Sequence, residues 1–198
     1  MPSDYVVLLG KGSGSEIQVR NSAAQLSLDW TMACVASGEL ESVIPCEVQS
    51  IDTTGSYREA WRAYAEENVS VPDAAHGMNW ANVWKRLIPQ LLLKGAVAST
   101  STLCKRGLYF VVPDRVYEQF EKLVGEVPEV SAPGPGVLTV MTYELGPLVP
   151  RGSVRSLVRC RTVRTAITDF AESFASGREL LPLGSQLDVK VRSVLENL

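Results

Sequence analysis

Runs and alternations of apolar residues define several strand candidates in the first quarter of the chain. Residues 6–9 form a short apolar run, and residues 16–19 alternate between polar and apolar side chains, so both are predicted strands. Residues 26–35 and 43–51 are two further strand-like runs that bracket a glycine-containing turn at residues 37–38. This arrangement predicts a β-hairpin. Because Pro45 cannot donate a ladder hydrogen bond, we expect the second arm to be irregular, or unpaired on one side, near its start.

The strongest helical pattern in the chain follows Asn79, a favourable N-cap residue. Its apolar residues recur at spacings of three and four and form one wide stripe, made of Trp80, Val83, Trp84, Leu87, Ile88, Leu91 and Leu92. Pro89 lies inside the stripe and should kink the helix or break it in two. Gly95 is the predicted stop. A shorter helix is predicted upstream from the spacing of Tyr57, Trp61 and Tyr64.

The second half of the chain alternates between strand and helix patterns. Residues 108–112 are a continuous apolar run, which predicts a buried strand, and Pro113 and Asp114 begin a helix. A further strand is expected at 137–143, and two helices are expected at about 165–176 and 186–197. The order of these elements predicts a mixed α/β fold in a single domain that spans residues 1–198.

Composition and charge narrow the classes of protein to consider. The chain has 198 residues, of which 45% are hydrophobic and 21% charged, so disordered and fibrous architectures are excluded. A net charge of −3 argues against a protein that coats nucleic acid through overall positive charge. Locally, however, residues 146–167 contain no acid and five arginines, namely Arg151, Arg155, Arg159, Arg161 and Arg164. These arginines could contact DNA phosphates and guanine edges, or form a solvated face or a subunit interface.

Cysteine spacing and hydropathy bear on metal content and location. Cys34, Cys46, Cys104 and Cys160 lie far apart without a C-x-x-C pair, so we expect free, buried thiols rather than a zinc or iron site. The N-terminal segment lacks the basic flank of a signal peptide, and no window approaches roughly 18 uninterrupted apolar residues. These features predict a cytoplasmic protein without a membrane partner.

The candidate chemistry lies on the hairpin. Glu47 and Gln49 are two residues apart on a strand, so their side chains leave the same face, and Asp29 lies on the preceding arm. Two carboxylates and the main-chain carbonyl of Val48 are hard oxygen ligands of the kind that Mg²⁺ prefers. Such a site suits metal-assisted hydrolysis of a phosphodiester. The alternative is a solvent-facing polar edge of the hairpin, although both acids are embedded in strongly apolar runs.

These residues resemble a known family. Leu28-Asp29-Trp30 and the segment Cys46-Glu47-Val48-Gln49-Ser50-Ile51-Asp52-Thr53-Thr54-Gly55-Ser56-Tyr57-Arg58, with Leu9-Gly10-Lys11-Gly12-Ser13 upstream, are similar to the catalytic core of NotI-like type II restriction endonucleases. That family belongs to the PD-(D/E)xK nuclease superfamily, and its members of this kind have Glu-x-Gln where others have a terminal lysine. The resemblance covers residues 6–112.

The resemblance implies a restriction-endonuclease-like central mixed sheet flanked by helices, and a Mg²⁺-dependent endonuclease acting on double-stranded DNA. Asp29 and Glu47 would be metal ligands with Val48, and Gln49 would orient the attacking water. The catalytic core would span about residues 6–127, followed by an arginine-bearing part at about 137–198. A homodimer is expected because cutting both strands of a palindrome needs two-fold symmetry. A companion DNA methyltransferase is a further candidate partner.

Several points stay open at this stage. A four-cysteine iron site found in the family has no counterpart here, and the chain is short for a sequence-specific member. Glu16 is a candidate supporting carboxylate near the metal, or a plain surface residue. Lys94 and Lys105 could supply the positive charge that Gln49 lacks, but solvation at the surface is the favoured interpretation for each. The alternative function is a non-catalytic DNA-binding or regulatory protein that retains the nuclease fold.

Overall fold

The structure is a computed structural model that describes residues 4–14, 16–20, 22, 25–50, 62, 83–150, 152–176 and 182–196. Its strands are β1 (Asp4–Gly10), β2 (Ile17–Arg20), β3 (Gln25–Leu28), β4 (Trp30–Ala36), β5 (Glu39–Val48), β6 (Leu108–Pro113), β7 (Val137–Leu145) and β8 (Leu157–Ala166). Its α-helices are α1 (Ile88–Thr100), α2 (Asp114–Val124), α3 (Ile167–Ser176) and α4 (Pro182–Leu195). The helices predicted around Tyr57 and from Asn79 to Trp80 fall outside these described residues.

Six of the strands form one mixed sheet in the order β1-β4-β5-β6-β7-β8. Neighbouring strands are antiparallel at β1/β4, β4/β5 and β7/β8, whereas β5, β6 and β7 run parallel to one another. The crossover from β5 to β6 includes α1, and the crossover from β6 to β7 includes α2, as parallel neighbours require. Strands β2 and β3 form a separate two-stranded sheet. The mixed α/β fold with a central sheet and flanking helices is thus confirmed.

The core lies between one face of the sheet and the helices α1, α2 and α3. Alternate residues of the two central strands are buried on this face, namely Leu108, Phe110 and Val112 of β6 and Leu138 and Val140 of β7. Their helical partners are Ile88 and Leu91 of α1, Val116 and Phe120 of α2, and Ile167 and Phe170 of α3. We call this the helix-covered face. Burial of such side chains supplies the main favourable term in folding.

The hairpin forms as predicted at its turn but not along its first arm. Ser37 and Gly38 both have positive φ angles, 52° and 85°, as a two-residue turn matched to strand twist requires. The run 26–35, predicted as one strand, is instead broken at Asp29, because β3 pairs with β2 while β4 pairs with β1 and β5. Pro45 pairs with Thr31 of β4, and on its other side the pairing with β6 begins only at Cys46, so the expected one-sided pairing is present.

Helix α1 also corrects the sequence prediction. A wide helical turn at Val83–Leu87 precedes it, and Pro89 lies in its first turn, which agrees with a helix broken near this proline. The helix does not stop at Gly95 but continues to Thr100. A Cβ atom at Gly95 would lie 2.6 Å from Cδ1 of Ile167, so this glycine permits the close approach of α1 and α3 rather than ending the helix.

Two further expectations concerned free, buried cysteines and the lack of a membrane-spanning segment. All four cysteines are free, although only Cys104 is buried and Cys160 is exposed. Among the residues that the structure describes, no helix has both the length and the apolar character needed to cross a bilayer.

Candidate functional site

The register between β4 and β5 brings the two candidate acids together. Trp30 pairs with Cys46 and Thr31 with Pro45, so the next step along the ladder places Asp29 beside Glu47. The backbone N–H of Asp29 donates to Oε1 of Glu47 at 3.3 Å, and the N–H of Val48 donates to Oδ2 of Asp29 at 3.1 Å. Each carboxylate therefore accepts a backbone N–H from the segment that carries the other, at the break between β3 and β4.

Lys94 of α1 completes this cluster. Its Nζ donates to Oε2 of Glu47 in an ion pair, and only 8% of Lys94 and 6% of Glu47 remain exposed. The expectation of a solvated surface lysine is therefore wrong at this position. At Lys105 the surface interpretation agrees with the structure, since that side chain is half exposed and lies 3.9 Å from the carboxylate of Glu41.

A signal for Lys94 was present in the sequence. The residue follows Leu91 by three positions and Leu87 by seven, so it lies on the apolar stripe of its helix. A lysine on such a stripe must either reach solvent or find a buried acid. Here it finds Glu47.

Burial and charge set the pKa of the central carboxyl. Desolvation raises the pKa of Glu47, the hydrogen bond and charge of Lys94 lower it, and the charge of Asp29 raises it again, with a net increase. The neighbouring thiol responds to the same surroundings, since burial together with the charges of Glu47 and Asp29 raises the pKa of Cys46 to about 11. With two carboxylates and one ammonium, the cluster has an excess of negative charge that a cation would neutralise.

The cluster opens on a small polar cavity of about 50 Å³, which has room for a few water molecules or a cation. Its lining consists of Asp29, Glu47, Gln49, Leu87, Gln90, Leu91 and Lys94. Gln49 thus lies at the cavity; its backbone N–H donates to Val111 O at 3.0 Å and its side-chain nitrogen donates to Ser50 O. Gln90 is a site residue without a signal in the sequence, because a glutamine on a helix carries no pattern of its own.

The donor set fits a hard divalent cation that keeps part of its water shell. In the described part of the chain no group of three His, Cys, Asp or Glu side chains has the spacing to hold a metal ion. Mg²⁺ does not need one, because it commonly binds through one or two carboxylates and retains several waters. Asp29 and Glu47 provide the two carboxylates, whereas Val48, the third predicted ligand, is not among the residues that line the cavity.

Glu16 lies at the start of β2, away from the cavity lining. Ile17 pairs with Leu28 in the last rung of the β2–β3 ladder, and Glu16 and Asp29 are the residues that follow this rung. Its side chain is exposed, and its carboxylate accepts a hydrogen bond from Nε2 of Gln18 at 3.2 Å. This contact agrees with the surface alternative.

Two of the five arginines are held by the protein itself. Nε of Arg155 donates to the carbonyl of Gly146 at 2.7 Å and thereby ties the connection between β7 and β8. Arg161 donates to Asp114 at 2.7 Å and to Glu121 at 2.9 Å, and its guanidinium carbon lies 5.0 Å from the centre of the Tyr117 ring. Arg161 therefore links β8 to α2.

The alternation of side chains along β8 is interrupted. Strands β7 and β8 shift register between Met141 and Tyr143, so that Arg159 pairs with Tyr143 while Arg161 turns to the helix-covered face. Arg159 is exposed, and Arg164 is half-buried with an Nε atom that has no hydrogen-bond partner. Arg151 lies outside the described residues. The arginines therefore do not form one face.

Comparisons with known proteins add no family to this picture. No model of a known protein family matches the chain, and no curated protein is significantly similar to it.

Proposed function

We propose that this protein is a Mg²⁺-dependent endonuclease that hydrolyses phosphodiester bonds in duplex DNA, and that it acts as a type II restriction enzyme. One observation carries the proposal: the carboxylates of Asp29 and Glu47 and the ammonium group of Lys94 meet at one small polar cavity. Glu47 and Lys94 are both buried there, and a fold that only needed stability would gain more from apolar side chains at these two positions.

The arrangement of elements supports a nuclease core. The resemblance noted in the sequence implies a hairpin that carries both acids, followed by a helix and then a strand beside the hairpin. The order β4, β5, α1 and β6, with β6 parallel to β5, is consistent with that requirement. A restriction-endonuclease fold is accordingly part of the proposal.

Each residue of the cluster has a distinct role in this mechanism. Asp29 and Glu47 would hold Mg²⁺, with the carbonyl of Val48 as a further ligand. The bound ion would stabilise negative charge on the scissile phosphate and lower the pKa of a water molecule. Lys94 holds Glu47 in place through its ion pair and brings a positive charge to the wall of the cavity, where a phosphate oxygen would enter. Gln49, at the same wall, would orient the attacking water.

The remaining partners follow from this role. Duplex DNA would be the substrate, and Arg159, which is exposed on β8, is the strongest candidate among the described arginines for a phosphate contact. Cleavage of both strands would require a homodimer, and a companion methyltransferase would protect the host DNA in the cytoplasm.

A cleavage assay tests the proposal. The protein is incubated with supercoiled DNA of mixed sequence in Mg²⁺ or in EDTA, alongside the variants Asp29→Asn and Glu47→Gln. Glu41→Gln is the matched control, because Glu41 is an exposed carboxylate on the same strand as Glu47. We expect cleavage by the wild type and by the control in Mg²⁺ only, and none by the two site variants.

Two results would count against it. Cleavage that persists in both site variants would contradict the assigned mechanism. DNA binding by a wild-type protein that cleaves nothing in either Mg²⁺ or Mn²⁺ would instead favour a non-catalytic DNA-binding or regulatory protein.

A further inference from the structure

The two edges of the central sheet differ in how they are protected. Strand β8, at one edge, carries Arg159, Arg161 and Arg164 and a register shift against its neighbour. Charges and bulges of this kind are common devices that prevent edge strands from pairing with other chains. Strand β1, at the opposite edge, has a regular seven-residue ladder with β4 and contains neither proline nor lysine.

Strand β1 is also apolar on both of its faces. Val6 and Leu8 point to one side of the sheet and are 63% and 52% exposed, while Tyr5 and Val7 point to the other and are 44% and 36% exposed. Within the described residues, β4 is the only strand that pairs with β1. An exposed, regular and apolar edge of this length invites pairing with another strand.

We infer that β1 is a dimerisation edge, at which two copies of this chain pair antiparallel to continue the sheet across a two-fold axis. The sequence of β1 complements itself in that arrangement. Pairing centred on Val7 sets Tyr5 opposite Leu9 and Val6 opposite Leu8, so that apolar side chains meet apolar side chains throughout.

The single charge of the strand selects the direction of pairing. In the antiparallel arrangement Asp4 of each copy lies opposite Gly10 of the other, whereas a parallel arrangement in register would set Asp4 against Asp4. Like charges directly opposite each other are destabilising. The antiparallel pair is also closed by its two-fold axis, so each edge is used once and the assembly stops at a dimer.

This surface goes beyond the proposed nuclease function and does not depend on it. A two-fold dimer would suit an enzyme that cuts both DNA strands, but the exposure, regularity and charge of β1 favour pairing whether or not the protein cleaves DNA. Its test therefore contains neither DNA nor metal.

Light scattering or sedimentation over roughly 1–100 μM protein measures the oligomeric state directly. The test variant carries Val6→Lys and Leu8→Lys, which places lysines opposite each other across the two-fold axis. Both positions are exposed, so the monomer should keep its fold, as circular dichroism can verify. The control carries Leu148→Lys and Val154→Lys, two apolar residues that are even more exposed but lie outside the sheet.

A cysteine placed on the axis adds a positional readout. In a Cys160→Ser background, which removes the exposed native thiol, Val7→Cys should form covalent dimers with a short bis-thiol cross-linker, and Leu148→Cys should not. This experiment requires only folded protein.

We expect a wild-type dimer that the lysine pair in β1 converts to a monomer and that the control leaves intact. A wild type that is monomeric over the whole range would overturn the inference. So would a dimer that survives both lysines in β1, or one that Val7→Cys fails to cross-link. A monomeric wild type would also remove the homodimer expected for cutting both strands, but none of these results tests phosphodiester hydrolysis itself, which the cleavage assay measures separately.

Discussion

Two clusters on the helix-covered side of the sheet each combine one cation with two carboxylates. In the first, Lys94 pairs with Glu47, and Asp29 lies beside Glu47 at the start of the neighbouring strand β4; in the second, Arg161 bonds both Asp114 and Glu121. The first ion pair is buried at both partners, whereas the arginine of the second is about one-third exposed. The two clusters therefore contain the same number of charged groups but differ in how far these groups are exposed to solvent.

The pKa values move in opposite directions. In the first cluster, desolvation and the charge of Asp29 outweigh Lys94 and raise the pKa of Glu47. In the second, burial alone would raise the pKa of Asp114, but hydrogen bonds from Thr142 and Arg161 and the charge of Arg161 outweigh it, so the pKa is lowered. Arg161 pairs with both Asp114 and Glu121 and thereby links β8 to α2. Lys94 pairs with Glu47 alone, so the negative charge of Asp29 is not compensated within its cluster. Carboxylates with an uncompensated charge at a cavity, of which one is buried, are typical of functional sites.

The largest contrast is expected in DNA cleavage. Lys94→Ala should lower the cleavage rate at least about a hundredfold, because it removes a positive charge beside the cavity where the phosphate would enter. Arg161→Ala should change the rate only a few-fold. Initial rates on supercoiled DNA measure both, and Lys94→Arg should recover part of the activity. Equal losses in the two alanine variants would remove the distinction between the clusters.

Stability should also separate the clusters. Removing Lys94 leaves Glu47 buried without its partner, and such losses cost about 3–5 kcal/mol. The double variant Lys94→Met with Glu47→Gln should regain most of that free energy of unfolding, because no charge is left uncompensated. Arg161→Ala should cost about 1–2 kcal/mol, since its ion pairs are partly solvated. Urea unfolding measures these free energies. If the loss in the double variant equalled the sum of the two single losses, Lys94 and Glu47 would not be energetically coupled.

The dependence of stability on pH should have opposite signs in the two clusters. Because the pKa of Glu47 is raised above 4.5, the folded state holds that proton longer, and stability falls as pH rises from 4.5 through the folded pKa. The pKa of Asp114 is lowered below 3.8, so its contribution is present above 3.8 and is lost as pH falls through the folded pKa. Metal-free urea unfolding between about pH 3 and pH 7, with Glu47→Gln and Asp114→Asn as references, measures both slopes. Slopes of the same sign would contradict this account.

The smallest effect concerns DNA affinity. Arg159→Ala should weaken binding and reduce the slope of log affinity against log salt by about 1, as expected for one lost phosphate contact. Arg161→Ala should leave that slope unchanged, because its guanidinium is already paired. Titrations of labelled duplex at several salt concentrations distinguish the two. A change in slope for Arg161 alone would reverse the assignment.

The sequence predicted those features that depend on local periodicity. The alternation around Glu47 and Gln49, and the turn at residues 37–38, were sufficient to place Asp29 near Glu47 across the hairpin. The strand at 108–112 and the helix from Asp114 followed from their apolar patterns in the same way.

Features that depend on tertiary contacts could not be predicted. Judged from the local sequence, Gly95 should end the helix, and only its contact with Ile167 explains why a glycine lies inside α1. Arg161 bonds Asp114 and Glu121, which are 47 and 40 residues distant along the chain, and local periodicity does not reveal such partners. Lys94 was an intermediate case, since its place on the apolar stripe was visible but its partner was not.

Metal binding tests the central claim most directly. Calorimetric titration of Mg²⁺ or Mn²⁺ to millimolar concentration, in the presence of mixed-sequence duplex DNA, would be compared for the wild type, Glu41→Gln and Glu47→Gln. If Asp29 and Glu47 form a divalent-cation site, the wild type and Glu41→Gln bind the metal and Glu47→Gln does not. The absence of binding by the wild type, or equal binding by Glu47→Gln, would contradict the claim that this cluster is a metal-dependent catalytic centre.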